Sequence, residues 1–301
     1  MLPWQIAIIL RVILANAVVP ILIKKQADRI DMHRRFLLSF VIGGVISTIL
    51  YLSFSTTFEL ALLLMSAGLG GLTVFGTFFS WKAMAISGSK TSVLAFSDDV
   101  IAMLLSAFFL NEWNKVTPLA LLGIGLCFLA IIGFVMRARV RERFGDVAAT
   151  PTKFFLYVFL YSTIWGMSYF LQKLFAVHSL GIWNLLGGWY IGGTLVAWCI
   201  FRCTKKTVAQ SVPQRKLTQR DIMMVSFLSV GLVGSMGLQY IIYHGTIQLA
   251  AQPIFLVGEM VLQALVFLWF FPAERKHFDR YEIASAVLAL IGTLLIMGFQ
   301  I

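Results

Sequence analysis

The stretch LALLLMSAGLGGLTVFGTFFSW, Leu60–Trp81, runs for 22 residues without a charged side chain. At about 1.5 Å rise per residue, a helix of this length crosses the roughly 30 Å hydrocarbon layer of a bilayer. It is apolar on every face and about twice as long as a transmembrane β-strand, which would alternate with a period of two. Nine further runs read the same way. The expected spans are Trp4–Ile23, Phe36–Phe54, Leu60–Trp81, Thr91–Leu110, Pro118–Met136, Phe154–Phe175, Ile182–Phe201, Ile222–Tyr243, Pro253–Phe271 and Ile283–Ile301. The expected fold is therefore an all-α membrane protein of ten transmembrane helices.

Composition agrees. Only 12% of the 301 residues are charged and 59% are hydrophobic, with a mean hydropathy of +0.89; an ordinary globular domain is about 25% charged. The net charge of +11 is not the footprint of a nucleic-acid binder, because the cations lie in short clusters between apolar runs. The odd-numbered loops hold Lys24, Lys25, Arg29, Arg34 and Arg35, then Lys90, then Arg137, Arg139, Arg141, Arg143 and Lys153, then Arg202 to Arg220, then Arg275, Lys276 and Arg280. The even loops hold only Lys115 and Lys173. By the positive-inside rule the odd loops are cytoplasmic and both termini lie outside, in a multi-pass protein of the cell membrane. The same basic loops suit anionic lipid headgroups. Cys127, Cys199 and Cys203 form no metal or disulfide pattern. The first twenty residues lack a basic n-region and read as a first span, not a cleaved signal.

The opening stretch also carries a repeat. Ser66-Ala67-Gly68-Leu69-Gly70-Gly71 in span three matches Ser229-Val230-Gly231-Leu232-Val233-Gly234 in span eight, both S-x-G-L-x-G. Phe108-Phe109-Leu110-Asn111-Glu112 matches Phe270-Phe271-Pro272-Ala273-Glu274, and the two spacings agree to one residue. Two halves, 1–145 and 146–301, follow. Five spans per half is an odd number, so the halves are inverted.

Ionisable groups cost roughly 2.5 to 3.5 kcal/mol at the centre of a membrane helix and persist where they face a protein interior or a watery cavity. Arg11, Asp98, Asp99 and Glu259 lie well inside spans, and Lys82 and His244 lie near the ends of spans three and eight. Aligning Glu112 on Glu274 sets Lys82 opposite His244 and Ser97 opposite Glu259, so each half has a base late in its third helix and an acid about two turns into its fourth. Two readings fit. In one, Lys82 pairs with Asp98 or Asp99 and His244 with Glu259, lining a central cavity. In the other, Lys82 snorkels to headgroups and His244 is an interfacial residue. Asp98 and Asp99 point about 100° apart on a helix, so one faces the site while the other takes a neighbouring donor. A buried carboxylate of this kind is suited to load and release a proton in each cycle. Arg11 either meets a substrate carboxylate or phosphate, or neutralises these acids. The mixture suits a zwitterion or an amine. Trp165, beside Gly166 in mid-span, is a further candidate; Tyr240 and Tyr243 either line the site as well or lie at the interface, the reading preferred for them. Gly188-x-x-x-Gly192 is read as helix packing.

These motifs resemble the drug/metabolite transporter superfamily, in particular the EamA-like ten-span permeases. Phe109-Leu110-Asn111-Glu112 with Gly123 and Gly125 resembles that family's Phe-Leu-Gly-Glu-like turn and the glycine-bearing helix after it; Phe271-Pro272-Ala273-Glu274-Arg275 with Gly292 does so in the second half. Trp165-Gly166 resembles its Trp-Gly, where span one has Ala15-Asn16. Pro253 opens span nine as the family's proline does, whereas span four has Asp98-Asp99 without one. The resemblance implies transport of a small metabolite or drug without ATP hydrolysis. No phosphate loop, H-E-x-x-H or G-x-S-x-G motif occurs in the sequence. The expectation is a carrier, not an enzyme, with no cofactor or metal; its partners are a small-molecule substrate, membrane lipids and protons as coupling ion. A lipid-modifying enzyme or a receptor subunit is the alternative.

Overall fold

Long apolar runs become long helices. The computed structural model describes residues 3–27, 30–55, 59–111, 117–143, 151–178, 181–208, 217–245, 251–252, 254–255, 258–272 and 279–297, with no strand among them. The elements are α1 (Pro3–Ile13), a π-turn (Leu14–Val18), α2 (Val19–Ala27), α3 (Met32–Phe54), α4 (Leu60–Ile86), α5 (Gly88–Leu94), α6 (Phe96–Phe109), α7 (Pro118–Arg143), α8 (Thr152–Val177), α9 (Ile182–Val208) and α10 (Gln219–Gly245). A second π-turn (Gly258–Gln263), α11 (Ala264–Phe270) and α12 (Arg280–Met297) follow.

Among the described residues, seven helical stretches are long and apolar enough to cross a membrane: Trp4–Gln26, Met32–Phe54, Leu60–Ile86, Gly88–Phe109, Thr152–Val177, Ile182–Thr204 and Gln219–Gly245. They correspond to the first four and the sixth to eighth expected spans. The fifth is a shorter apolar stretch, Leu121–Arg137, within α7. Large apolar side chains face outward, Trp269 at 78%, Leu52 at 75% and Phe109 at 72% exposure, as lipid permits and water does not. The chain is thus an all-helical integral membrane protein.

Helix ends are set by local chemistry. Asp31 caps α3 by accepting from the Arg34 amide at 3.0 Å. Asp279 and Glu282 form a capping box at α12: Asp279 Oδ1 accepts from the Glu282 amide at 2.9 Å and Glu282 Oε2 from the Asp279 amide at 3.0 Å. Partial burial opposes ionisation of Asp279, but the Glu282 amide, the Arg137 guanidinium and the Tyr281 amide hold its carboxyl below the usual carboxylate range. That stabilisation is complete above the ordinary carboxylate pKa and is lost as pH falls through the depressed one. Asn111, past the end of α6, takes φ 55°, the left-handed conformation that closes a helix and in which Asn substitutes for Gly. Glu112 and Glu274, the ends of the repeated Phe-Phe-x-x-Glu motif, and Pro253 lie outside the described residues.

Packing is dictated by small residues. A Cβ on Gly192 would run into the backbone of Ala67, one on Gly70 into that of Trp189, and one on Gly188 would come within 2.5 Å of Leu63 O. Gly70, at the variable position of S-x-G-L-x-G, and the two glycines of Gly188-x-x-x-Gly192 therefore press α4 and α9 together. In α10 the matching Gly231 and Gly234 receive Val19 and Leu14 of the first π-turn region. α4 packs on α8 and α9, α10 on α1, α2 and α3, α3 on α9, and α7 on α12. The α7–α12 seam interlocks at Gly292, against Gly123 and Cys127.

Two cations expected in loops are inside helices. Lys173 lies in α8 and donates to Tyr243 O of α10 at 2.7 Å. Lys90 is buried in α5 and meets Glu282 Oε1 at 2.6 Å, while Arg141 Nη1 reaches Glu282 Oε2 at 3.1 Å and Arg137 Nε reaches Asp279 Oδ2 at 2.6 Å. This cluster ties α5 to α7 and α12.

Replacing Gly192 with Ala forces α4 and α9 apart and should cost about 1–3 kcal/mol. Gly68, with nothing within 4 Å of its Cβ position, is the control: Gly68→Ala should be neutral or gain up to about 1 kcal/mol. Thermal unfolding of both purified variants in one detergent checks this; equal midpoints would contradict close packing at Gly192.

Candidate functional site

Irregular backbone converges on one place. The first span winds into its π-turn just after Arg11; the fourth breaks at Ala95 between α5 and α6; Glu259 sits in the second π-turn. The break puts Asp98 and Asp99 in the first turn of α6, where amide groups and the helix dipole favour negative charge. Gly166 lets α8 approach this turn: a Cβ there would lie 2.7 Å from Asp98 O and from Ile101.

The four mid-span charges meet. Asp98, Asp99 and Glu259 each place one carboxylate oxygen within 4.8 Å of the others. Arg11 Nη2 lies 3.7 Å from Glu259 Oε1, and the guanidinium stacks on Phe255 at 3.7 Å from the ring centroid. All four side chains are buried, with Arg11 2% exposed and Asp99 fully buried. The carboxylates could gather a proton, an ammonium group or a hard cation, which takes oxygen ligands.

A directed chain of hydrogen bonds links the cation to an acid. Arg11 Nε and Nη2 donate to Gln239 Oε1 at 3.2 and 3.1 Å. Gln239 Nε2 donates to Tyr243 Oη at 3.0 Å, and the Tyr243 hydroxyl donates to Gln252 Oε1 at 2.9 Å. Gln252 Nε2 donates to Asp99 Oδ1 at 2.5 Å. Every bond points from the guanidinium towards the carboxylate, so each polarises the next. Asp98 Oδ1 accepts from the Asp99 amide at 2.9 Å.

Beside this cluster lies a cavity of about 160 Å³. Arg11, Asp98, Glu259 and Gln239 line its polar part, and Trp165, Trp189 and Tyr190 its aromatic wall. It extends along the first span to Ile23, Met84 and Thr91, where Lys24 Nζ donates to Met84 O at 3.3 Å and Arg35 donates to Ile23 O. A second, apolar groove of about 330 Å³ lies among α6, α7 and α8. Ser97 and Ser162 line it with hydroxyls 2.6 Å apart, and their sequence neighbours Asp98 and Tyr161 line the polar cavity.

Arg11, Asp98, Asp99 and Glu259 are therefore together, and Trp165 is with them, its ring 5.2 Å from Tyr169 and 6.2 Å from Trp189. Lys82 and His244 are not. Lys82 Nζ lies over the Phe78 and Tyr157 rings at 4.3 and 5.5 Å, and these aromatic faces supply its partner instead of Asp98 or Asp99. His244 is exposed, edge-on to Tyr240 at 4.9 Å. Among the described residues, Arg11 is the cation that pairs with Glu259. Gln239, Gln252 and Tyr243 are members of this buried network that were not selected as site residues from the sequence; the signal for Gln239 and Tyr243 was a run of hydrogen-bonding side chains at the close of an apolar span.

No family model matches the chain, and no curated protein matches it. Among solved structures, one described only as a crystal structure of a protein superimposes with a TM-score of 0.61 at 16% identity, over 97% of this chain and 94% of that one. At that identity the likeness is one of fold alone.

Three carboxylates around one guanidinium make the signs of substitution differ. Arg11→Met strips the acids of their counter-charge and should cost about 3 kcal/mol or more. Asp99→Asn retains the acceptor for Gln252 while removing one repelling charge, and should leave stability unchanged or raised. Thermal unfolding of both variants decides; equal losses would show that the acids are not in excess.

Proposed function

We propose that this protein is a secondary active transporter of a small metabolite, a permease or exporter working by alternating access with protons as coupling ion. The observation that carries the proposal is the cavity of about 160 Å³ in which Arg11, Asp98 and Glu259 come together in the middle of apolar helices. Buried charge of this kind is expensive and persists where it serves an ion or substrate path.

The packing supports two inverted halves of five spans, in the manner of the drug/metabolite transporters. Exchanging spans one to five with six to ten turns the α4–α8 and α4–α9 contacts into those of α10 with α1–α2 and with α3. It also maps the α3–α9 and α7–α12 contacts onto themselves. Irregular helices at the junction of such halves are where carriers hold substrate and ion. With the basic loops cytoplasmic, the end of the cavity crossed by Lys24 and Arg35 is its inner closure. A positively charged solute, an amine or an amino acid, answers the excess of carboxylates, and a proton on Asp98 or Glu259 replaces it on the return.

Counterflow in proteoliposomes with labelled amino acids, nucleosides and organic cations tests this. Saturable flux is expected, reduced about tenfold or more by Asp98→Asn or Glu259→Gln, with loss of its pH dependence. Normal flux with unchanged pH dependence in both variants would refute the coupling, and product formation without net flux would refute the carrier in favour of an enzyme.

A further inference from the structure

The cavity also has a side built from donors. We propose that Arg11 and Asn16 form a carboxylate-binding subsite, so that the solute is a zwitterion of the α-amino acid type rather than a simple amine. This rests on reading the cavity as the substrate site.

Both residues line the cavity and both are 2% exposed. Among the described residues, Arg11 Nη1 and Asn16 Nδ2 are buried nitrogens with no hydrogen-bond partner. Buried donors are rarely left unmade, and each orphan costs about 1–3 kcal/mol. The rest of the Arg11 head is committed: Nε and Nη2 to Gln239, Nη2 also facing Glu259, and its plane to Phe255. The guanidinium is thereby held with one edge free.

The irregular backbone bears on how Asn16 comes to line the same cavity as Arg11. In the π-turn the Val19 amide donates to Leu14 O, five residues back. Such a turn winds less per residue than an α-turn, so positions after Leu14 swing back towards the face that carries Arg11. The turn is held in place by α10, where Gly231 would bring a Cβ to 3.0 Å from Val19 Cγ2 and Gly234 to 3.3 Å from Leu14 Cδ2. The repeated S-x-G-L-x-G motif thus has a specific task in the second half: it makes room for the distortion that presents Asn16.

Two buried N–H groups lining one cavity require an acceptor. A carboxylate offers two coplanar oxygens and a single charge. A phosphate would bring a second negative charge into a cavity that already holds Asp98 and Glu259. A carboxylate accompanied by an ammonium group satisfies both sides, the anion on Arg11 and Asn16 and the cation on the acids. Trp165 and Trp189 leave an apolar wall for the side chain.

The test uses the purified full chain and the fluorescence of Trp81, Trp165 and Trp189, which line the cavity. Probes are L-leucine, L-methionine and L-phenylalanine, each with its α-amide and its decarboxylated amine. At least one amino acid is expected to bind about tenfold or more tighter than its amide and its amine, a difference of about 1.4 kcal/mol. Asn16→Leu and the near-isosteric Asn16→Asp should both erase that preference while amine binding persists, which also reports a folded cavity. Equal binding of acid, amide and amine by the unaltered protein, or a preference that survives in a folded Asn16 variant, overturns the subsite. Saturable flux of an amine with no carboxylate preference overturns the subsite and keeps the carrier; absence of both binding and flux for the whole panel overturns both.

Discussion

Arg11 and the three carboxylates around it are held where helices alone surround them, and much of the structure is organised by the cost of keeping them there. An isolated ion in such a medium is penalised by several kcal/mol, and mutual attraction offsets this only when the remaining polar atoms are also satisfied. The chain through Gln239, Tyr243 and Gln252 provides part of that satisfaction, for Arg11 Nε and Nη2 at one end and Asp99 Oδ1 at the other. It also explains why the polar residues of α10 and of the segment at 251–252 are where they are. Each of these groups, taken alone, would be a misplaced amide or hydroxyl in an apolar helix; in series they carry the field of the guanidinium to Asp99.

Close packing makes that arrangement rigid. α4 and α9 touch through backbone at Gly70, Gly188 and Gly192, which leaves little room for sliding. The irregular segments are found elsewhere, in the first span, at Ala95 and around Glu259. The molecule therefore separates a stiff seam of small residues from a set of distorted helices that carry all four mid-span charges.

Much of this was legible in the sequence. Length and apolarity disclose the long helices, because a bilayer imposes one length on all of them, and a charge in such a run is conspicuous. That is why Arg11, Asp98, Asp99 and Glu259 could be selected. A shared central cavity was one of the readings their placement allowed. The choice of partners was not legible. The alignment of the halves put Lys82 near the acids in register, but register along a helix says nothing of which face a long side chain follows, and Phe78 and Tyr157 offered Lys82 a closer partner. Neutral amides such as Gln239 and Gln252 carry a weaker signal than charges. The break at Ala95 had no proline to announce it. Lys90 and Lys173 looked like loop cations because their buried partners, Glu282 and the carbonyl of Tyr243, are remote in sequence.

The break at Ala95 has one more implication. The short helix before it, α5, packs against the second π-turn and α11, with Gly88 against Phe267, and is bound through Lys90 to Glu282. The longer helix after it, α6, packs against α8. A single crossing of the bilayer thus has two allegiances, and Ala95 is the knuckle between them. Any relative displacement of those neighbours is concentrated within one turn of Asp98 and Asp99, so that bending of the backbone and rearrangement of the acids become one motion.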